Sequence, residues 1–194
     1  MNSGNAFRSE DDADDHLIIS QIVSGQNDLF RLLVRRHKRA VHGMGMSFFR
    51  NREDTSDFTQ EVFLKVYRNL SRFEGRSRFS TWLYKIAYNT AINSVNRNKE
   101  YQSLAVEDEA GPLLCDNETP ERILLRQAAR QALLNALKEL PERYRVCVDL
   151  FFFYDRSYQE IEAITGFPVN TIKSHVFRAK KMLREKLEGI ADNS

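Results

Sequence analysis

Residues 157–187 have the sequence SYQEIEAITGFPVNTIKSHVFRAKKMLREKL and contain the signals for two helices joined by a tight turn. Ser157 is followed three residues later by Glu160, so each side chain can bond to a free backbone amide in the first turn of a helix. Gly166 can adopt the left-handed conformation that ends a helix, and Pro168 suits the start of the next one. The spacing therefore predicts a helix-turn-helix.

The second of these helices has two faces of different chemistry. Its apolar residues recur every three or four positions and predict one buried stripe, formed by Val169, Ile172, Val176, Ala179 and Leu183. Its other face carries groups that suit phosphates and base edges, namely Asn170, Thr171, Lys173, Ser174, Phe177, Arg178 and Lys181. Acidic residues are absent from this helix until Glu185. These features favour DNA binding over the alternative, a solvated corner between two helices.

Length and composition limit the fold and the compartment. The 194 residues suffice for one ordinary domain or two small ones, and a hydrophobic content of 42% suffices for packed cores. No apolar run approaches the roughly 20 residues that a membrane helix needs, so no membrane insertion is expected. The polar N-terminus is typical of neither a signal peptide nor an anchor. Cys115 and Cys147 fit no metal or redox spacing, so we expect a reduced, cytoplasmic protein without a metal or cofactor.

Charge alternates in blocks along the chain. Residues 1–16 contain one base and five acids, whereas residues 17–99 contain 15 bases and six acids. Residues 100–118 contain six acids and no base, and residues 119–194 contain 13 bases and 10 acids. Two basic blocks separated by an acidic segment predict two polyanion-binding modules on a linker that avoids the polyanion.

Hydrophobic periodicity predicts helices along the chain, so the expected fold class is all-α, with two small helical domains joined by a flexible acidic linker. The expected divisions are a disordered acidic N-terminus (1–15), a helical domain (16–99), the linker (100–118), a four-helix domain that contains the helix-turn-helix (119–190) and a tail (191–194). In the first domain, helices are predicted over about residues 16–24, 28–49, 51–70 and 80–98, with Gly43 and Gly45 weakening the end of the second. In the second domain, Pro141 is predicted to start a helix, and the strongly apolar residues 146–153 are predicted to form a buried helix rather than a strand.

A short basic loop of the first domain is bracketed by aromatic residues. Arg76 and Arg78 lie in the loop, and Phe73, Phe79 and Trp82 flank it. This combination is typical of sites that hold unpaired bases, because an extruded base loses stacking worth about 1–3 kcal/mol that protein rings must replace. The alternative is that the aromatic residues fill the core of a small helical domain. For Phe79 and Trp82 we expect both to be partly true.

Four stretches, in this order along the chain, resemble bacterial sigma factors of the extracytoplasmic-function (ECF) group. They are DFTQEVFLKVYR (57–68), FSTWLYKIAYN (79–89), LPERYR (140–145) and the helix-turn-helix. The resemblance covers nearly the whole chain. It implies an exchangeable initiation subunit of RNA polymerase that is not itself an enzyme. The implied partners are core RNA polymerase, promoter DNA and an anti-sigma factor.

The resemblance also implies which residues bind each partner. The clamp of the largest polymerase subunit would be bound by Asp57, Gln60 and Glu61. The minus-ten promoter element would be opened and captured by Lys65, Phe73, Arg76, Ser77, Arg78, Phe79, Trp82, Ile86 and Asn89. The minus-thirty-five element would be recognised by Asn170, Thr171, Lys173, Ser174, His175, Phe177, Arg178 and Lys181. The hydrophobic side of the second domain would meet the flap of the second-largest subunit.

Three positions of the helix-turn-helix depart from the usual pattern of this family. Glu162 replaces a small residue where the two motif helices touch, so it must point outward or loosen the packing. Asn170 replaces a frequent glycine and His175 a frequent arginine, so the base preference should differ from that of other members.

Two other classes of protein are less well supported by the sequence. A helix-turn-helix regulator that is not a sigma subunit would need a ligand or phosphoacceptor domain, and the first half of the chain has no βαβ pattern. An enzyme is disfavoured because His37 and His42 lie on different faces of one predicted helix. Asp57 and Glu61 are one turn apart, but no second carboxylate pair follows them.

Overall fold

The structure, a computed structural model, describes residues 4–99, 131–137 and 139–191, with side chains over 14–96, 131–137 and 139–188. Within these ranges every regular element is helical, which confirms the all-α prediction. The described residues form two compact units, the N-terminal unit drawn mainly from residues up to 107 and the C-terminal unit mainly from residues 108 onward. The predicted linker, 100–118, lies outside the described residues, as do residues 119–130 and the tail residues 192–194.

The N-terminal unit contains four α-helices within its described residues. They are α1 (Gly4–Val23), α2 (Phe30–Phe49), α3 (Arg52–Asn69) and α4 (Phe79–Lys99). Helix α3 begins where the Asn51 side chain accepts a hydrogen bond from the Asp54 amide at 2.8 Å, because such a cap satisfies an amide that the first turn leaves free. The side chains of Leu33, Val62 and Leu83 are fully buried between these helices.

Helix α1 begins earlier than the sequence predicts. It starts at Gly4, so the expectation of disorder over residues 1–15 is wrong for the described part of that segment. The acidic residues at its end have partners that composition alone does not reveal. Asp15 is buried, and its carboxylate accepts a hydrogen bond from Arg36 at 3.0 Å and lies 2.6 Å from the His37 ring nitrogen Nε2. These contacts offset the cost of burying and ordering the carboxylate.

The regular elements in the described residues of the C-terminal unit are also helices. Its helices are α5 (residues 131–137), α6 (Glu142–Val148), α7 (Tyr158–Thr165) and α8 (Val169–Ala191). Pro141 precedes α6, as predicted, and α6 continues into a π-helical turn over Asp149–Phe153. Leu150, Ile161 and Ile172 are among the fully buried side chains of this unit.

The prediction of a buried helix over residues 146–153 is right about the helix but wrong about two of its residues. Phe152 is 48% exposed and Phe153 is 61% exposed. Successive helical residues point in directions about 100° apart, so a run of consecutive apolar residues cannot all face one core. Leu150 enters the core, and the two phenylalanines project from the surface.

Candidate nucleic-acid interfaces

The helix-turn-helix begins with the predicted reciprocal cap. The Ser157 amide donates to Glu160 Oε2 at 2.9 Å, and the Glu160 amide donates to Ser157 Oγ at 3.2 Å. Gly166, with a φ of 77°, forms the turn after α7. Both local signals are therefore confirmed, because each depends only on residues a few positions apart.

Glu162 caps the second helix of the motif. Its side chain is exposed, and its carboxylate oxygen Oε1 accepts a hydrogen bond from the Val169 amide at 3.1 Å. A carboxylate at this end of a helix is also favoured by the helix dipole. The expectation that Glu162 points outward is confirmed, and its contact with α8 fixes the start of the recognition helix.

We expect Glu162→Ala to destabilise the first turn of α8 by roughly 0.5–2 kcal/mol, because the variant loses a cap. Amide hydrogen exchange in that turn should accelerate by the corresponding factor. Glu162→Gln is the matched control, since it keeps an acceptor oxygen and removes only the charge. Unchanged exchange in the alanine variant would mean that Glu162 contributes nothing to the helix start.

Helix α8 presents the predicted DNA-binding face to solvent. Asn170, Lys173, Ser174, Phe177, Arg178 and Lys181 are all exposed, and Thr171 is half-buried. Phe177 is 70% exposed, so most of its ring is accessible to a partner. This face therefore combines the cations Lys173, Arg178 and Lys181 with the exposed ring of Phe177. The cations are suited to phosphates, and the ring is suited to the methyl groups of thymine.

Two of the cations on this face are held by neighbouring aromatic groups. The Lys173 ammonium lies 5.8 Å from the centre of the Tyr158 ring, and that ring stacks on Phe151 at 4.9 Å with an interplanar angle of 10°. The Arg178 guanidinium donates to the Tyr144 hydroxyl at 3.4 Å. Contacts of this kind restrict the rotamers of long cationic side chains before DNA arrives.

His175 does not belong to the exposed face. It is 8% exposed, its ring lies 5.0 Å from that of Tyr144, and its Nδ1 lies 3.7 Å from the Cys147 sulfur. Its predicted contact with the minus-thirty-five element is therefore wrong. The position follows Ile172 by three residues and precedes Ala179 by four, so its spacing is that of the buried stripe.

The environment of His175 keeps its imidazole neutral near pH 7. Burial lowers the pKa of His175, and the positive charges of Arg143 and Arg178 lower it further. Burial also raises the pKa of the Cys147 thiol to about 12, so this cysteine remains an unreactive part of the core.

The second candidate interface lies in the N-terminal unit, around the loop of residues 73–78, here called the capture loop. Three rings beside it form an aromatic wall: Phe73 lies 5.7 Å from Phe79 and 5.4 Å from Trp82, measured between ring centres. Phe73 and Trp82 are half-buried, so parts of both rings remain accessible. Phe79 is fully buried, so direct contact of Phe79 with DNA is ruled out and its alternative assignment to the core holds.

The polar residues of the capture loop and α4 surround this wall. Arg76 and Ser77 are exposed, Arg78 is half-buried, and Arg76 pairs with Glu74 at 2.6 Å. Trp82, Ile86 and Asn89 follow one another at intervals of four and three on α4, so they share a face of that helix. Lys65 donates to the Thr90 hydroxyl at 3.2 Å, which brings this lysine of α3 beside α4.

The residues predicted to bind polymerase share one face of α3. Asp57 and Gln60 are exposed, and Glu61 is partly exposed and pairs with Lys65 at 2.7 Å. Leu64, which is 48% exposed, extends the same face by one turn and was missed by the sequence analysis. A signal for it existed, because Leu64 falls outside the buried spacing of Phe58, Val62 and Val66.

The C-terminal unit has an apolar groove on its surface. The sequence analysis expected a hydrophobic side of this domain but did not name the residues that form it. It has a volume of about 630 Å³, and its lining includes Leu133, Leu137, Val148, Phe152 and Phe153. Lys180 and Arg184 of α8 border it, and the Lys180 ammonium lies 4.9 Å from the centre of the Phe152 ring. Sequence reasoning missed the groove because it assigned both phenylalanines to the core.

Among the residues that the structure describes, no three His, Cys, Asp or Glu side chains come together in a way that could hold a metal ion. None of the helices in the described ranges combines the length and the apolar composition that a bilayer crossing requires.

A helix-turn-helix with an exposed cationic face, and a second helical unit with an aromatic wall beside a basic loop, define a DNA-binding protein. Comparisons with known families are consistent with this class. Residues 33–101 match sigma-70 region 2, and residues 130–183 match sigma-70 region 4.

Curated relatives align along most of the chain. The ECF RNA polymerase sigma-E factor of Haemophilus influenzae is 33% identical over 181 residues, covering 90% of this chain and 95% of that protein. The RNA polymerase sigma-H factor of Pseudomonas aeruginosa is also 33% identical, covering 90% of this chain and 94% of that protein. This chain belongs to the ECF group of sigma-70 family sigma factors, as the resemblance implied.

Solved structures of lower identity share the fold. The sigma factor RpoE of Bartonella quintana, in complex with the anti-sigma factor NepR, aligns with a TM-score of 0.67 at 23% identity, covering 82% of this chain and 96% of that chain. CnrH, in complex with the cytosolic domain of CnrY, aligns with a TM-score of 0.62 at 23% identity, covering 93% of this chain and 98% of that chain.

Proposed function

We propose that this sigma factor binds core RNA polymerase, recognises the minus-thirty-five and minus-ten elements of its promoters, and opens the DNA for transcription initiation. The observation that carries the proposal is the exposed face of α8, where Lys173, Phe177 and Arg178 lie together and the first acidic residue of the helix is Glu185. Such a face is suited to the major groove of duplex DNA.

The N-terminal unit would perform the opening step. The accessible parts of Phe73 and Trp82 offer rings on which an extruded base can stack, and the cations of the capture loop offer contacts to the phosphates beside it. Asn89 and Ile86 would border the base, with Lys65 nearby. Phe79 would act from beneath as a packed support for the other two rings.

Core polymerase would meet two separate surfaces. The exposed face of α3, with Asp57, Gln60 and Glu61, is suited to a basic clamp helix of the largest subunit, and Leu64 adds an apolar contact. The apolar groove beside Phe152 and Phe153 is suited to the flap of the second-largest subunit. An anti-sigma factor that covers either surface would compete with polymerase, and the protein would act in the cytoplasm.

The second candidate, a helix-turn-helix regulator that is not a sigma subunit, is not favoured. It does not account for the match to sigma-70 region 2 over residues 33–101.

Purified protein added to core polymerase should direct run-off transcription from its promoter and not from a scrambled template. A failure to change the start site chosen by core polymerase would reject the proposal.

Arg178→Ala should lower promoter-directed transcription roughly tenfold, because a good contact to a base or phosphate contributes roughly 1–3 kcal/mol. Its affinity for core polymerase should not change, since Arg178 belongs neither to the proposed polymerase-binding face of α3 nor to the lining of the apolar groove. Arg39→Ala is the matched control, because it removes the same charge from the exposed side of α2. An equal loss of promoter use and of core binding in Arg178→Ala would contradict the assignment of this face to DNA.

A further inference from the structure

Helix α1 contacts the capture loop directly. The His16 ring lies 5.1 Å from the Phe73 ring, measured between centres, with the two planes at 46°. A Cβ atom built on Gly75 would lie 3.2 Å from His16 Cε1 and 3.4 Å from Nδ1, so the imidazole also packs against the backbone of the loop. Gly75 has a φ of 70°, a conformation that favours glycine. One side chain of α1 therefore touches both the start of the loop and its turn.

The residue before His16 anchors α1 to α2. Asp15 is only 1% exposed, and its two carboxylate oxygens contact Arg36 at 3.0 Å and His37 at 2.6 Å. The His37 ring in turn lies 5.2 Å from the Phe79 ring, edge to face. Asp15 thus connects α1, through His37, to Phe79 of the aromatic wall. His16 connects α1 to the capture loop.

We propose that Asp15 and His16 are positioning residues for strand capture, which hold the capture loop in the conformation that accepts an extruded base. The capture loop needs such a contact because Glu74, Gly75, Arg76 and Ser77 are all exposed, so burial in the core does not hold them. Fixing the backbone of each free residue costs roughly 1–2 kcal/mol, so a loop that is already ordered binds the base more tightly. This inference rests on the proposed function and adds to it a role for α1.

The test compares holoenzymes assembled from the full chain and core polymerase. His16→Ala should lower the affinity for a single-stranded minus-ten oligonucleotide by about fivefold to tenfold. It should lower by the same factor the opening of a duplex promoter, which is measured with 2-aminopurine at the extruded position. His16→Phe should restore most of both, because it supplies a ring of similar reach. Leu17→Ala is the matched control, since Leu17 is the next residue of α1 and is 64% exposed.

Core affinity and binding to a duplex minus-thirty-five fragment should be unchanged in His16→Ala. Asp15→Asn keeps the shape of the anchor but replaces its ion pair with Arg36 by a neutral hydrogen bond, and should cause a smaller loss in the same two assays.

Four outcomes would overturn the inference: opening by His16→Ala equal to wild type, a phenylalanine variant as weak as the alanine variant, a matching loss in Leu17→Ala, or an equal loss of core binding in His16→Ala. Failure of the wild-type holoenzyme to open the promoter would instead reject the proposed function.

Discussion

Gly45→Val should destabilise the N-terminal unit by about 3 kcal/mol, the upper end of the range for overpacking a core. Gly45 is buried in α2, where α2 packs against α3. A Cβ atom built there would lie 2.7 Å from Phe58 Cδ1 and 2.9 Å from Thr55 Cγ2. Phe58 is 3% exposed and Thr55 is fully buried, so neither side chain can move into solvent. Valine would place three carbons in a space that does not hold one.

Helix propensity alone would not destabilise the unit when Gly45 is replaced. In an open helix, replacing glycine by alanine stabilises by roughly 0.5–1 kcal/mol, so a loss on Gly45→Ala would itself identify the close contact. For a domain of 60–100 residues a loss of 1 kcal/mol lowers Tm by roughly 4–8 °C, which puts the valine variant roughly 12–24 °C below wild type. Trp82, the only tryptophan of the chain, reports unfolding of the N-terminal unit by its fluorescence.

The control for Gly45 is a second change in the same contact. Phe58→Leu removes the ring atoms that the new Cβ meets, so Gly45→Ala with Phe58→Leu should be less destabilised than the sum of the two single variants. If Gly45→Val had the same Tm as wild type, the close contact between α2 and α3 at Gly45 would be contradicted.

The parts of the fold that the sequence analysis predicted correctly are those set by local signals. Ser157 and Glu160 bond to each other's backbone, Gly166 has its turn conformation, and Pro141 precedes α6. Each of these features needs only residues within a few positions, and the apolar spacing of α3 is just as local. The bounds of α2, α3 and α4 were therefore predicted to within a few residues.

The errors arise where a residue's environment is decided by a distant partner. Asp15 was assigned to a disordered acidic segment, but Arg36 and His37, more than 20 residues away, bind its carboxylate. Gly45 was taken only as a weak point of its helix, because the approach of Phe58 is a property of the folded unit.

In the candidate sites, residue chemistry predicted the composition of each face but not the burial of every member. His175 was included with the DNA contacts because it replaces a frequent arginine, although its spacing places it in the core with Cys147. Phe79 was assigned a partial DNA contact because aromatic character alone does not separate a ring that supports from a ring that stacks. Phe152 and Phe153 show the converse error, since two apolar residues that were expected in the core line an exposed groove.

Trp82→Ala should reduce promoter opening by the holoenzyme by roughly a hundredfold, with little change in binding to the minus-thirty-five duplex or to core polymerase. The indole is half-buried, and its ring centre lies 5.4 Å from that of Phe73 and 5.9 Å from that of Phe79. Its loss removes a stacking surface worth roughly 1–3 kcal/mol per base. It also removes ring contacts worth roughly 0.5–1.5 kcal/mol each, which hold Phe73 in place.

Permanganate reactivity of unpaired thymines in the minus-ten element measures the opening. Trp82→Phe should retain most of it, because a smaller ring can still stack. Phe79→Leu is the informative control, since a fully buried residue should change Tm more than it changes opening at a temperature where the protein is folded.

On a template whose minus-ten element is mismatched and already unpaired, the cost of separating the strands is absent. Trp82→Ala should therefore recover part of its activity there, and equal defects on duplex and mismatched templates would place Trp82 outside the opening step.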